Sequence, residues 1–188
     1  MSADWQPTLE GETLRLRPLA AGDLEPLFAV ASDPLLWEQH PDKTRHTRAG
    51  FEKFFGDGLA SKGALAVLER SSGELVGSSR FADHRTGAGS VEIGYTFLAR
   101  RLWGTGANGE LKRLMLGYAF RHVETVYFVI GPENFRSRKA VEKLGAVQVD
   151  DASAQAVVYD KRCSVVYRLT RPPGSTREGT FSGGSAYS

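Results

Sequence analysis

A glycine-rich segment, residues 101–110, constrains the fold of this chain more than any other stretch. Before it, apolar side chains alternate with other residues along positions 91–98, with the period of two that is typical of a β-strand. After it, apolar residues recur along positions 111–118 with the spacing of one helix face. The order strand, glycine-rich turn, helix predicts a phosphate-binding site. Glycines let a ligand approach the backbone, and the first helical turn offers unpaired N–H groups.

Two well-known phosphate-binding loops fit the segment only in part. Gly104 and Gly109 have the spacing of a Walker loop, but Glu110 stands where that loop needs a lysine. Gly104, Gly106 and Gly109 match the dinucleotide pattern Gly-x-Gly-x-x-Gly, but residues 99–103 separate them from the preceding strand. A nicotinamide-dinucleotide site is therefore a minor alternative, and a glycine-rich turn without a ligand is another.

A third interpretation fits two segments in the correct order. Arg101, Gly104 and Gly106 match Arg/Gln-x-x-Gly-x-Gly/Ala, the acetyl-CoA pyrophosphate loop of the GCN5-related N-acetyltransferase (GNAT) superfamily. Residues 134–145 resemble a second signature of that superfamily, a helix that begins at an asparagine and flanks the cofactor thiol. Between the two segments, residues 125–130 predict one buried strand. Together the two motifs are far more specific than either one alone.

The order of the remaining elements predicts an α/β fold. An early strand, a helix that Asp23 could cap, an aromatic-rich helix and a hairpin precede the glycine segment, and a last hairpin follows it. We expect a GNAT-like mixed, mostly antiparallel sheet flanked by helices. The expected organisation is a single domain at residues 13–170, between an N-terminal extension at 1–12 and a flexible C-terminal tail at 171–188. The predicted hairpins cover residues 64–69 with 75–81, and 156–159 with 163–169.

Composition and charge exclude several classes of protein. The net charge of +2 does not favour a nucleic-acid or polybasic membrane partner, and no apolar run approaches the ~20 residues that span a bilayer. The single cysteine, Cys163, permits no internal disulfide, which fits a cytoplasmic protein. It lies in a strand-like run, so we expect a buried side chain and not a nucleophile. The four histidines lack the spacing of metal ligands, so we expect no metal.

Within the GNAT superfamily, the chain resembles the branch of the ribosomal-protein N-terminal (RimJ/RimL-like) acetyltransferases. The resemblance lies in residues 14–19, 92–95, 103–106 and 142–145. It implies transfer of an acetyl group from acetyl-CoA to a primary amine by direct attack in a ternary complex. The amine could belong to a protein N-terminus or to a small molecule. The sequence does not decide the oligomeric state, and a homodimer is one option. A catalytically idle acetyl-CoA-binding module is the main alternative.

The resemblance also implies which residues bind acetyl-CoA. Backbone N–H groups in the glycine segment would hold the pyrophosphate, and the main chain after the preceding strand would pair with the pantetheine arm. Three arginines could meet phosphate oxygens. The alternative for each is a solvated charge on a helix face, and for Arg136 and Arg138 the two interpretations are equally balanced. The predicted cofactor-binding residues are Phe97, Leu98, Ala99, Arg101, Leu102, Trp103, Gly104, Thr105, Gly106, Ala107, Asn108, Asn134, Arg136, Ser137 and Arg138.

Glu92 is the predicted catalytic base, acting directly or through water. Strands are depleted in glutamate, so an acid at this position suggests a role in the cleft. Strict alternation would place Gly94 and Thr96 on the face of Glu92, with Val91, Ile93 and Tyr95 on the other. The alternative is a structural ion pair between Glu92 and Arg15 or Arg17.

Ser137 is the predicted proton donor to the departing thiolate. Many members of the superfamily use a tyrosine seven residues after the motif asparagine for this purpose, but here that position is Val141. We therefore transfer the role to Ser137. The alternative is that its hydroxyl satisfies a backbone N–H at the start of the helix.

Overall fold

One sheet organises the chain. The computed structural model describes residues 3–82, 89–150 and 164–173, and within these ranges eight strands join in the order β1-β2-β3-β4-β5-β6-β8-β7. The predicted α/β class, with a mixed and mostly antiparallel sheet in a single domain, is confirmed. The strands are β1 Leu9–Glu10, β2 Leu14–Pro18, β3 Ala64–Glu69, β4 Leu75–Ala82, β5 Ser90–Leu98, β6 Thr125–Ile130, β7 Val147–Val149 and β8 Val165–Thr170.

Four α-helices cover the two faces of the sheet within the described residues. They are α1 Leu24–Ala31, α2 Arg48–Ala60, α3 Ala107–Ala119 and α4 Phe135–Glu142. Phe51, Phe54 and Phe55 of α2 are buried with Trp37 and Phe97, which confirms that this aromatic stripe belongs to the core. Buried side chains of α3 and α4 belong to a second and larger cluster on the other side of the sheet.

Of two helix starts, α2 has the expected side-chain cap and α1 does not. The Thr47 side chain accepts a hydrogen bond from the Gly50 N–H at the start of α2, at 3.1 Å. Asp23 precedes α1, but its carboxylate makes no capping bond there. It accepts instead from the guanidinium of Arg17 and from the Ala20 N–H. The predicted cap is therefore wrong, because the ion pair with Arg17 holds this carboxylate.

The parallel pair β5–β6 is much shorter than its two strands. Pairing runs from Ser90↔Thr125 to Glu92↔Tyr127, whereas β5 continues to Leu98 and β6 to Ile130. Past these last partners, no backbone pairing joins the two strands in the part of the chain that the structure describes. We call the resulting gap between residues 93–98 and residues 128–130 the wedge.

A β-bulge in β5 exchanges the two faces of the strand. Tyr95 has a positive φ of 54°, and the register between β4 and β5 shifts opposite it. Val91 and Ile93 pack in the α3 and α4 cluster, but Tyr95 packs in the α1 and α2 cluster. Thr96 turns to α3 instead. The predicted strict alternation is therefore wrong beyond residue 94, because the extra residue of the bulge reverses the order of the faces.

The structure describes most of the N-terminal extension but only part of the predicted C-terminal region. Residues before 13 are packed on the fold: β1 pairs with β2, and the Trp5 ring lies 5.2 Å from that of Phe81. The short strand β7 was not predicted; it pairs with β8, whose predicted strand is present. The partner strand predicted at 156–159, Cys163 and residues 174–188 of the predicted tail lie outside the described residues.

Candidate functional site

The glycine segment forms an open loop before α3. Gly104 and Gly106 have positive φ angles of 76° and 90°, which residues with a Cβ rarely adopt. No atom lies within 4 Å of the place where a Cβ would stand on either glycine. Within the described residues, the backbone N–H groups of Gly104, Gly106, Asn108 and Gly109 donate to no acceptor. These four groups, which we call the cradle, stand at the positive end of the α3 dipole and suit an anion.

The edge of β5 that faces the wedge offers a free backbone donor. The Ala99 N–H donates to the Val76 carbonyl of β4 at 2.8 Å. Alternation in an antiparallel ladder therefore turns the Leu98 N–H away from β4 and toward the wedge. An extended chain in the wedge can pair with this edge as an added strand does. The predicted pantetheine contacts of Phe97, Leu98 and Ala99 fit this geometry and stay predictions.

Arg101 is engaged by acidic side chains. Its guanidinium donates to both carboxylate oxygens of Glu69, at 2.7 and 2.8 Å, and to Glu74 at 3.0 Å. This pairing raises the pKa of Arg101 and lowers that of Glu69. The predicted contact between Arg101 and a phosphate stays a prediction, and it requires the guanidinium to leave or share these carboxylates.

The other two predicted arginines connect α4 to the rest of the site. The Arg136 guanidinium lies 3.7 Å from the centre of the Trp103 ring, so it joins α4 to the glycine loop. Arg138 donates to the Tyr167 hydroxyl at 3.1 Å, and that hydroxyl donates to Glu142 at 2.7 Å. Arg136 thus contacts the loop directly, whereas Arg138 fastens α4 to β8.

Asn134 and Ser137 stand at the start of α4, as the second motif predicts. The Asn134 side chain accepts from the Ser137 N–H at 3.2 Å and caps the helix. The Ser137 hydroxyl makes no hydrogen bond within the described ranges, so the alternative in which it caps the helix is wrong. Val141 is buried in the core at 3% exposure, and the role of Ser137 toward the thiol stays a prediction.

Glu92 stands at the closed end of the wedge, because it belongs to the last pair that joins β5 to β6. Its side chain is buried, with 4% exposed. The carboxylate leans over Gly94, where a Cβ would stand 2.6 Å from Glu92 Oε1. A side chain at position 94 would therefore displace the carboxylate from this position, and sequence reasoning did not identify this contact.

The structural alternative for Glu92 is wrong. Arg17 pairs with Asp23 at 2.7 Å, and Arg15 pairs with Glu10 at 2.9 Å. Both arginines proposed as its ion-pair partners therefore bind other carboxylates. This outcome removes an ion pair of Glu92 with Arg15 or Arg17, and catalysis by Glu92 stays a prediction.

Buried cations lie on the same side of the sheet as Glu92. The Arg80 guanidinium stands 4.2 Å from the centre of the Tyr95 ring, and Arg45 stands 4.6 Å from that of Phe54. Burial lowers the pKa of both arginines, while the charge of Glu92 acts in the opposite direction on Arg80.

The comparison with known families agrees with this geometry. A profile of the Acetyltransferase (GNAT) domain matches residues 13–147, which is well over half of the chain. The chain belongs to the GNAT acetyltransferase family.

Solved structures show the same fold. A GCN5-related N-acetyltransferase from Brucella melitensis has a TM-score of 0.73 at 23% identity, covering 88% of this GNAT chain and 79% of its own. An acetyltransferase from Agrobacterium tumefaciens gives 0.70 at 24% identity over 88% and 95% of the two chains. RimJ from Mycobacterium smegmatis, in complex with CoA-disulfide, gives 0.69 at 18% identity over 90% of each chain.

Lys112 is a residue of this GNAT site that the sequence reasoning missed. It lies on α3 with 6% of its surface exposed, and its ammonium donates to Thr96 Oγ1 at 2.8 Å. Burial lowers its pKa to about 7, and the charge of Glu92 opposes that effect. The available signal was a lysine on the helix face that also carries Leu111, Met115 and Leu116.

The structure also bears on metal ions and membranes. Among the described residues, no group of three or more His, Cys, Asp or Glu side chains could hold a metal ion. No helix in that part of this acetyltransferase is both long and apolar enough to cross a bilayer.

Proposed function

We propose that this protein is an N-acetyltransferase that moves the acetyl group of acetyl-CoA to a primary amine by direct attack in a ternary complex. The observation that carries the proposal is the cradle of four unpaired N–H groups beside the wedge, with Glu92 at the closed end of that wedge. The open positive-φ glycines fit a pyrophosphate, and the free edge of β5 fits a pantetheine arm. The RimJ neighbour, which holds CoA-disulfide in the same fold, supports the choice of ligand.

Different residues along the wedge have different roles. The thioester supplies an activated acetyl group with a thiolate as its leaving group. The cradle binds the pyrophosphate, and the Leu98 N–H orients the arm that leads into the wedge. Ser137 donates a hydrogen bond to the sulfur. The protein thus gains most of its catalysis by holding the amine and the thioester in a productive geometry.

Glu92 takes the proton of the amine, directly or through one water molecule. It stands where β5 and β6 separate, close to the end of the wedge. Gly94 leaves space over which this carboxylate lies. A buried carboxylate also attracts an ammonium acceptor before it loses its proton.

The acceptor is a primary amine of a protein N-terminus or of a small molecule, and the proposed location is the cytoplasm. Acetyl-CoA and the amine are the proposed partners. An idle binding module would share the cradle, so only turnover separates the two functions.

Calorimetry and thiol release test the proposal together. We expect acetyl-CoA to bind with one site per chain, NAD not to bind, and CoA to be released when the protein meets a panel of peptides, amino acids, polyamines and aminoglycosides. Intact-mass measurement of the modified amine confirms acetyl transfer. Binding without CoA release across the panel would indicate the idle module, and binding of NAD alone would contradict the proposal.

A further inference from the structure

A buried ammonium lies beside the wedge, on the side of the sheet that α3 covers. Lys112 reaches up from α3, and its Nζ lies 2.8 Å from Thr96 Oγ1 on β5 and 5.7 Å from the centre of the Phe128 ring on β6. Both Thr96 and Phe128 lie past the last residues that join the two strands, Glu92 and Tyr127. The ammonium therefore lies on the side of the sheet that α3 covers, beside the start of the wedge.

The contacts of this ammonium leave part of its donor capacity unused. A lysine ammonium has three N–H donors, and within the described residues the Lys112 group binds one acceptor, the Thr96 hydroxyl. The neighbouring hydroxyl of Ser79 hydrogen-bonds to that of Thr96 at 2.7 Å. Burying a charge with incomplete pairing is costly, and an apolar side chain of similar volume would avoid that cost. This position therefore suits a ligand that accepts a hydrogen bond from a cation.

The proposed reaction brings such an acceptor into the wedge. Transfer of an acetyl group from a thioester generates a thiolate, which is an anion and a good acceptor. A serine hydroxyl such as that of Ser137 is a much weaker acid than a thiol, so it can hydrogen-bond to the thiolate but cannot supply the proton on its own. An ammonium can do both.

We propose that Lys112 is a catalytic acid, whose ammonium beside the wedge stabilises the departing CoA thiolate and gives it a proton. This inference rests on the proposed acetyl transfer. As the N–C bond to the acceptor forms, the C–S bond breaks and its electron pair goes to sulfur. The Lys112 ammonium then transfers a proton to that sulfur. Glu92 takes the proton that the amine loses, and exchange with solvent restores both groups.

The electrostatics of the surrounding elements support the transfer. A lowered pKa of about 7 makes the Lys112 ammonium a stronger acid than an ordinary thiol, whose pKa is about 8.5. Among the described residues, Glu92 of β5 is the charged group that acts on Lys112, and it raises this pKa. The other groups in contact with Nζ or its partner are the hydroxyls of Thr96 and Ser79 and the ring of Phe128.

The first test measures the thiol of bound CoA rather than turnover. The thiolate absorbs in the ultraviolet, so a pH titration of the CoA complex gives the pKa of the bound thiol. We expect the wild type to lower this pKa by about 1–3 relative to free CoA, as an opposite charge within a few ångströms does. Lys112→Met should abolish that lowering while CoA still binds. Equal thiol pKa values in the two proteins would overturn the inference.

Kinetics separate catalysis from a structural role. Lys112→Met should reduce kcat by about 10²–10⁴-fold with little change in the KM for acetyl-CoA. The wild-type kcat should also fall as pH rises above the pKa of Lys112, and the variant should lack that fall. A variant with a changed melting temperature but wild-type kcat would show that Lys112 has only a structural role beside the wedge.

Lys112→Arg gives a second test that does not depend on the folding of the methionine variant. A guanidinium keeps the charge but does not release its proton. The bound thiol should therefore keep its low pKa, while kcat falls. An arginine variant that retains both the wild-type kcat and its decline at alkaline pH would contradict proton donation by Lys112. If the wild type binds no CoA, the proposed function fails first, so the two failures are distinguishable.

Discussion

At the scale of single residues, the site depends on what stands beside each charge. Glu92 can lie over the strand because residue 94 has no side chain. The arginines that seemed suitable partners in the sequence bind Asp23 and Glu10 instead. Glu92 belongs to the last residue pair that joins β5 to β6, and there we propose that it acts as the base for the acceptor amine.

Changing Glu92 to glutamine tests its role directly. Glu92→Gln keeps the shape of the side chain but removes its charge and basicity, so acetyl-CoA should still bind while kcat/KM for the amine falls by about 10²–10⁴-fold. The loss should shrink at high pH, where more of the amine is already neutral. Calorimetry and CoA release on one preparation measure both quantities.

Asp23→Asn is the matched control for a buried carboxylate outside the wedge. It weakens the ion pair with Arg17, so the melting temperature should fall while the turnover of the folded protein stays unchanged. Should Glu92→Gln behave in the same way as this control, Glu92 would be structural and the catalytic assignment would be lost.

At the scale of elements, two irregular backbone features shape the site. The bulge at Tyr95 moves Thr96 to the α3 face, where it meets Lys112. The glycine loop starts α3 with free N–H groups, because Gly104 and Gly106 take φ angles that other residues avoid. Both features depend on backbone conformation, and each creates a contact that regular secondary structure would not make.

The loop is tested by Gly106→Val, with Gly73→Val as its control. A branched side chain at position 106 projects into the open space that an anion would occupy, so affinity for acetyl-CoA should fall sharply. Gly73, in the β3–β4 turn, has a similar φ of 73° and equally open surroundings, so valine there imposes the same backbone strain away from the site. Calorimetry that shows equal losses of affinity in both variants would exclude a direct role for the loop.

At the scale of the whole molecule, the sheet holds two kinds of buried cation on opposite sides. Arg80 stacks on Tyr95 beneath α2, and Lys112 lies on the side of α3. Both are desolvated, and burial lowers the pKa of each. Burying a charged side chain lowers the free energy of unfolding. For Lys112, whose pKa is about 7, this effect depends on pH near neutrality.

The stability of the protein should rise with pH because of Lys112. Its pKa is about 7 in the folded state and 10.5 without the fold, so between these values the unfolded chain binds a proton that the native state does not. The free energy of unfolding should consequently increase from about pH 7 to about pH 10 through this group. Urea denaturation at several pH values should show this rise in the wild type relative to Lys112→Met.

Lys143→Met serves as the control for the stability measurement, because Lys143 is an exposed lysine at the end of α4. The free energy of unfolding should rise with pH by the same amount in the wild type and in this control, because both contain Lys112. A difference between wild type and Lys112→Met that stays constant across the pH range would mean that Lys112 is not desolvated in solution.

The sequence alone predicted the elements that depend on local patterns. Alternation predicted β2 and β5, two segments around a turn predicted the β3–β4 hairpin, and a continuous apolar run predicted β6. Helical spacing predicted α2 and α3, and the spacing of glycines and asparagine predicted where the ligand loop and the second motif begin. These features follow from the backbone preferences of short segments, so one segment suffices to reveal them.

Only the tertiary structure decided how those elements use their charges. The bulge at Tyr95, the early end of the β5–β6 pairing and the partners of Arg15, Arg17 and Arg101 all depend on contacts between distant segments. Lys112 shows the same limit, because a lysine on a helix face normally reads as solvated charge. Its contacts with Thr96 of β5 and Phe128 of β6 depend on how α3 packs against these two strands. No local pattern in the sequence encodes that packing.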